Sequence, residues 1–258
     1  MSSNWASRSL SATVAGAVLT LVGGCASGGG ETAAESASPS SVLSPRPSTT
    51  VRPLSAEELA AALPEQGALP GYSVNSAPET KAGGDTSDAS VRPKACQPLE
   101  DARSGVFADS VASAWVHISA AEFAPPDETL TFTSYRFGAA GAHLASLNAA
   151  LDACPSLSLR SRYGDRVSTD VERVKDEVSV GHDSVSFRMH WTVDIDGFKS
   201  ETYFLVTTVR SGEATVTGVS ESSVGSQLSD AKKRAFLPKL DQKLLKRLAD
   251  ALGAAQHS

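Results

Sequence analysis

Between Ser184 and Ile195 apolar and polar side chains alternate without a break. Val185, Phe187, Met189, Trp191, Val193 and Ile195 take the odd positions, and Ser184, Ser186, Arg188, His190, Thr192 and Asp194 the even ones. A period of two places one set on each side of an extended chain, so the segment predicts a half-buried strand. Asp196-Gly197 follows, a pair favoured in two-residue hairpin turns. The chain then returns over 198–210, with Asp194 facing Lys199 and Ile195 facing Phe198. Ser211-Gly212 predicts a second turn that sets Arg210 opposite Glu213, with a third strand over 214–220. The result is an antiparallel meander.

Other segments carry a helical period. Leu144, Leu147, Leu151 and Cys154 recur on one face of a helix predicted over 139–153. Ser55 and Glu58 form an S-x-x-E capping box, with Leu54 placed to staple onto Leu59, and Pro64 closes that short helix. Near the end Leu237, Leu240, Leu244 and Leu248 make one stripe, with Pro238 expected in the first turn of the last helix after a short helix capped by Ser229. Strands are predicted over 111–123, 129–137 and 157–163, and a short extended piece follows Leu69-Pro70-Gly71-Tyr72. Residues 76–94 read as a surface loop. Residues 166–180 have valines at helical spacing, yet their valine density and short breaks favour a strand. The order of helices and strands predicts an α+β fold, a twisted antiparallel β-sheet with flanking helices, in one domain over 54–258.

The first fifty residues obey neither period. Ser9 to Gly24 is uncharged and mostly apolar and ends in Val22-Gly23-Gly24-Cys25. It is shorter and richer in Ser, Thr and Gly than the ~20 apolar residues of a membrane-spanning helix, and it fits the 7–15-residue apolar region of a secretory leader. An apolar run, small residues and a Cys resemble the lipobox of bacterial lipoproteins. Residues 1–24 are therefore expected to be a signal peptide and Cys25 the lipidation site. The partner so implied is the membrane, and the location its extracytoplasmic face. Cleaved secretion and an uncleaved anchor are the alternatives. Residues 26–53, dominated by Gly, Ser, Ala, Thr and Pro, cannot bury enough apolar surface to order themselves, which makes 25–53 a tether spanning roughly 25–30 Å.

If Cys25 carries lipid, Cys96 and Cys154 remain, an even number in a compartment that permits disulfides. A bridge between them is expected, with two buried free thiols as the alternative. Of the 258 residues about 200 are left for the domain, enough for a real core. Arg8 is the only charged residue before Cys25, so the mature chain has 22 basic against 29 acidic side chains and a net charge of −7. That balance argues against nucleic acid, which needs a basic footprint.

Motifs for chemistry are sparse. His182-Asp183-Ser184 places three catalytic residue types side by side, but triads are assembled from separate segments and neighbours on an extended chain point apart. Ser229-Asp230-Ala231-Lys232 matches S-x-x-K without a K-T-G partner, and Ser at a helix start is an ordinary cap. No CxxC, metal-ligand spacing or nucleotide-binding loop is present, so no metal and no cofactor is expected. Two carboxylates in a cleft would leave no linear signature. Aromatic residues on strands suggest an apolar cleft instead. Trp115, Tyr135, Tyr203 and Leu205 are the candidate ligand-binding residues, with ordinary core packing as the alternative.

Several short features occur together: the lipobox, the Ser/Pro tether, Leu69-Pro70-Gly71-Tyr72, Cys96 opening one helix and Ala153-Cys154 ending another. With them goes Val180-Gly181-His182-Asp183-Ser184-Val185-Ser186-Phe187-Arg188 before the hydrophobic strands. Over roughly 54–252 this chain resembles the extracellular sensor-like domain of the actinobacterial PknH-type receptor kinases, which also occurs as free-standing lipoproteins. The resemblance implies an α+β fold with a twisted antiparallel sheet, a cleft for an unidentified ligand, and no catalytic residues. It also implies an actinobacterial source. The kinase sensors carry two disulfides where this chain has Cys96 and Cys154 alone, and His182 interrupts their Gly-Asp pair. A ligand- or partner-binding domain, taking a small molecule or an envelope protein, is the expected function. A cell-envelope hydrolase and a structural envelope protein are the alternatives.

Overall fold

Ser55 starts the first helix by the reciprocal bonding that its sequence predicts. Its hydroxyl accepts from the Glu58 amide while the Glu58 carboxylate accepts from the Ser55 amide. The helix α1 (Ala56–Ala62) ends before Pro64, and Leu54 and Leu59 are both fully buried. Arg52 already pairs with Glu58, two residues ahead of the expected domain edge. The structure is a computed structural model, and it describes residues 51–65, 67–69, 71–74, 77–82, 89–120, 127–160, 166–174, 183–195, 198–225, 229 and 237–257.

Ten strands form one antiparallel sheet: β1 (Tyr72–Val74), β2 (Glu79–Ala82), β3 (Ser90–Arg92), β4 (Ser110–Ala120), β5 (Asp127–Tyr135), β6 (Ser156–Arg160), β7 (Arg166–Arg173), β8 (Ser184–Ile195), β9 (Phe198–Ser211) and β10 (Ala214–Gly225). Their order is β1-β4-β5-β10-β9-β8-β7-β6-β3, with β2 also paired to β4. Three more helices are described: α2 (Gln97–Arg103), α3 (Ala139–Ala153) and α4 (Gln242–Ala255). The fold class is thus the expected α+β, an antiparallel sheet with flanking helices in one domain.

Two cores lie on opposite faces of this sheet. Leu205 and Val209 of β9 pack into one with α1, α4, β4 and β5, while Phe204 and Val206 of the same strand pack into the other with α2, α3, β6 and β8. Residues of opposite parity on a strand point to opposite faces, so each helix pair owns one face. The coverage is also staggered. The pair α1 and α4 packs over β4, β5, β10 and β9, and the pair α2 and α3 over β8, β9, β7 and β6. Among the described residues, each face therefore carries no helix at the end that the other face's helices protect.

The hairpin between β8 and β9 has the predicted register, Asp194 with Lys199 and Ile195 with Phe198; its Asp196-Gly197 turn lies outside the described residues. The next turn differs from expectation. Ser211 pairs with Ala214, so Arg210 stands opposite Thr215 and not Glu213. Gly212 and Glu213 form the bend, since Gly212 takes the left-handed φ of +59° that a side chain would resist. The shift of two positions keeps every side chain on its predicted face.

Two further expectations are corrected, and a third is borne out where the structure describes it. The presumed loop 76–94 contains β2 and β3, edge strands held by backbone pairing, in which Val91 is the one buried side chain of β3 and no apolar period announces either. Pro238 precedes the last helix and is not part of it. Asp241 caps α4 by accepting from the Lys243 and Leu244 amides, a stronger start signal than proline. The ambiguous segment is a strand through Arg173, with Val167 and Thr169 buried between exposed neighbours, while 175–180 lies outside the described residues. The Ser229-capped helix also falls outside them from 230 to 236.

Candidate functional site

The uncovered end of the α2–α3 face holds a cleft of about 250 Å³. Trp115 and His117 of β4, Thr129 and Thr131 of β5 and Val219 of β10 line it from the sheet, and Lys81 of β2 joins them. The remaining wall is the end of α2, residues 103–106. That end is shaped by Gly105, whose φ of +66° turns the chain out of the helix while the Ser104 and Val106 amides bond back to Glu100 and Asp101 carbonyls. A Cβ on Gly105 would sit 3.1 Å from the Thr131 hydroxyl, so glycine lets the helix end rest against the sheet.

Arg103 marks the border between the covered and uncovered parts of this face. Its Nε and Nη2 donate to the two oxygens of Glu100 at 2.8 and 2.6 Å, a bidentate pair with Glu100 only 1% exposed. The guanidinium also lies 4.2 Å from the centre of Trp191 and 4.9 Å from that of Phe204. These contacts hold the group in one orientation. Its Nη1 donates to no protein group among the described residues. His117 Nδ1 lies 3.0 Å from the Thr129 hydroxyl. Lys81 and Arg103 are the charged residues among the described lining, where no carboxylate is found.

The four candidate binding residues do not converge. Trp115 lines the cleft. Tyr135 is fully buried, edge-on to Phe107 and stacked on His143. Leu205 is buried in the other core, beneath α4. Tyr203 lies on that same opposite face, stacked on His190 with centroids 4.3 Å apart and its hydroxyl donating to Glu201. Leu205 and Tyr203 do stand across from Arg188 and His190, as their predicted register requires. Arg103, Lys81 and His117 are the cleft residues that pattern reading missed. Only the Ser104-Gly105 step after α2 signals where that wall ends.

Cys96 and Cys154 are joined, with Cα atoms 5.9 Å apart, tying the start of α2 to the end of α3. Cys25 and His182 lie outside the described residues, as do Asp230 to Lys232 of the S-x-x-K match. Asp183 pairs with Arg210 at 3.2 Å. Among the described residues no three His, Cys, Asp or Glu side chains come together as a metal site, and no helix is long and apolar enough to cross a membrane.

Two buried titratable groups lie away from the cleft. Burial, reinforced by Asp241, pushes the Glu128 carboxyl up to about 7. Burial pushes the His143 imidazole down to about 4, against an opposing pull from Asp109. Glu128 neighbours Thr129 on β5 and so points to the other face of the sheet.

No protein-family model and no curated protein matches this chain. Among solved structures, the extracellular domain of PknH from Mycobacterium tuberculosis is similar over 80% of this chain and 98% of that one, at 11% identity and a TM-score of 0.47.

Proposed function

We propose that this chain is a non-enzymatic ligand-binding domain, held on the extracytoplasmic face of the cell membrane by lipid on Cys25. The cleft beside Trp115 is its binding site. The observation that carries the reading is the make-up of that cleft: a concave surface with an indole, two valines and a few fixed polar groups, the usual composition of a small-molecule site. Location rests on the apolar leader, its Gly-Gly-Cys end and the tether that follows. A Cys96–Cys154 bridge fits an oxidising compartment.

A hydrolase would call for a carboxyl of raised pKa inside the cleft. The one carboxyl so raised among the described residues is Glu128, which is 4% exposed and belongs to the opposite face. The binding reading is therefore preferred.

Two measurements test it. Cys25→Ser should move the protein from the membrane fraction to the soluble one, and unchanged partitioning would refute the anchor. Native mass spectrometry of the chain from its own membranes should show an added small-molecule mass that Trp115→Ala loses. A spectrum of bare protein alone would overturn the binding role.

A further inference from the structure

We infer that the end of the sheet bearing Phe137 and Val111 rests on the lipid bilayer, with the Phe137 ring at the boundary between headgroups and acyl chains. Among the described residues the exposed large apolar side chains are these two, Phe137 at 86% and Val111 at 39%. Isolated apolar side chains are ordinary on a protein surface, so their placement carries the argument. Both belong to one corner. Ser110 pairs with Tyr135 and Ala112 with Ser134, which brings Val111 beside the strand end that leads into Phe137.

Each is turned outward by a backbone device. Two steps along β4 match one along β5 at this point, so Val111 is the extra residue of a β-bulge, a feature that re-aims a side chain. Phe137 sits in a turn where the Ala139 amide donates to the Arg136 carbonyl at 2.9 Å. Gly138 there takes φ +80° and ψ −15°, as in a type II turn. The Glu213 carboxylate accepts from the Gly138 amide and the Glu213 carbonyl from the Tyr135 amide, both at 2.9 Å. The backbone beneath the ring is thus fixed before contact, which lowers the cost of covering it.

The occupant follows from where the chain enters. The Leu54 amide donates to the Ser134 hydroxyl at 2.8 Å, so the tether joins the domain at this same corner. With lipid on Cys25, a tether of roughly 25–30 Å holds the corner near the bilayer, and a weak contact then acts as an intramolecular one. That step rests on the proposed anchor. Two side chains of this size bury at most about 500 Å², and a stable protein interface needs roughly 1,200–2,000 Å². A bilayer needs no matching surface, so lipid suits a small apolar tip better than a second copy does. Asp109 and Arg136, both exposed, flank the pair with opposite charges, so the contact is apolar in origin.

Both cores lie wholly within residues 25–258, so that length carries the whole fold. Its Cys25→Ser form, held by an amino-terminal histidine tag on chelating phosphatidylcholine vesicles, tests the contact without native lipidation. Phe137→Ser should weaken apparent affinity for the vesicles by about three- to tenfold. Phe137→Trp should hold at least as well, since indole favours the membrane interface. Neither change should move the melting temperature. Equal retention of Phe137→Ser and its parent would overturn the inference, as would a difference seen only with anionic lipid. Self-association without lipid that Phe137→Ser abolishes would overturn it too, and would assign the tip to a second copy. Because the tag stands in for the acyl chains, loss of this contact leaves the Cys25 anchor as a separate reading.

Discussion

Tyr135 lies face to face with His143 where β5 meets α3, their ring centroids 5.5 Å apart and their planes inclined by 23°. Phe107 closes the cluster edge-on to both. The imidazole is thus held among rings, with its Nε2 buried and unpartnered. Burial raises the Tyr135 hydroxyl well above its ordinary value and lowers His143 to about 4.

The folded protein keeps His143 neutral where the unfolded chain, with an ordinary value of 6.5, takes up a proton. Its contribution is complete above about pH 6.5 and is lost as pH falls toward 4. The loss amounts to about 3 kcal/mol at roughly 1.4 kcal/mol per pH unit. In urea unfolding from pH 4 to 7, His143→Phe should change the slope of stability against pH by that amount relative to wild type. An unaltered acid slope in the variant would refute the assignment.

Glu128 works in the opposite sense. Its carboxyl stays protonated in the folded state up to about 7, while the unfolded chain ionises near 4.5. The stability it contributes is complete below 4.5 and lost by 7, again on the order of 3 kcal/mol. Burial raises the Glu128 carboxyl, with Asp241 at the start of α4 adding to the shift, and burial together with these two acidic groups raises the Tyr72 hydroxyl. Between pH 4.5 and 6.5 the two residues oppose each other and the wild-type protein should be nearly level. Glu128→Gln should uncover the His143 slope and gain stability at pH 8. Equal losses in variant and wild type across this range would exclude the pairing.

The Cys96–Cys154 bridge closes a separation of 58 residues and joins the two helices of one layer. Reduction should remove about 3–4 kcal/mol, or roughly 6–16 °C of melting temperature for a domain of this size. Circular dichroism melts with and without reductant measure the difference. Coincident curves would mean that the sulfurs are not joined.

Gln256 fastens the end of α4 to the turn between β9 and β10. Its Nε2 donates to the Ser211 carbonyl at 2.7 Å and its Oε1 accepts from the Glu213 amide at 2.9 Å, both buried. Gln256→Ala leaves two main-chain groups unpaired, which costs about 2–4 kcal/mol. The urea midpoint should fall with the slope unchanged, and a midpoint within error of wild type would show that solvent replaces both bonds.

Much of this architecture is legible in residue pattern. Strand β8 declares itself because one of its faces packs while the other stays polar, and α1 and α3 because caps and leucine spacing act locally. Strand β9 hides its environment, since Phe204, Leu205 and Val206 are all buried and no alternation survives. Strands β2 and β3 depend on backbone pairing, which side-chain pattern does not record. The cleft is harder still. Trp115 can be named as an aromatic on a strand, but Lys81, Arg103 and His117 meet there only because α2 stops at Gly105 and leaves that end of the face uncovered. Where a helix layer stops is a matter of connection length and tertiary packing.

Strands β9 and β10 belong to both layers at once, Val209 and Val216 turned toward one helix pair, Val206 and Val219 toward the other. Neither pair can peel away while those strands keep their neighbours. Heat damage on either flank should therefore spread through the shared ribbon to its counterpart, so that the two helix layers melt together.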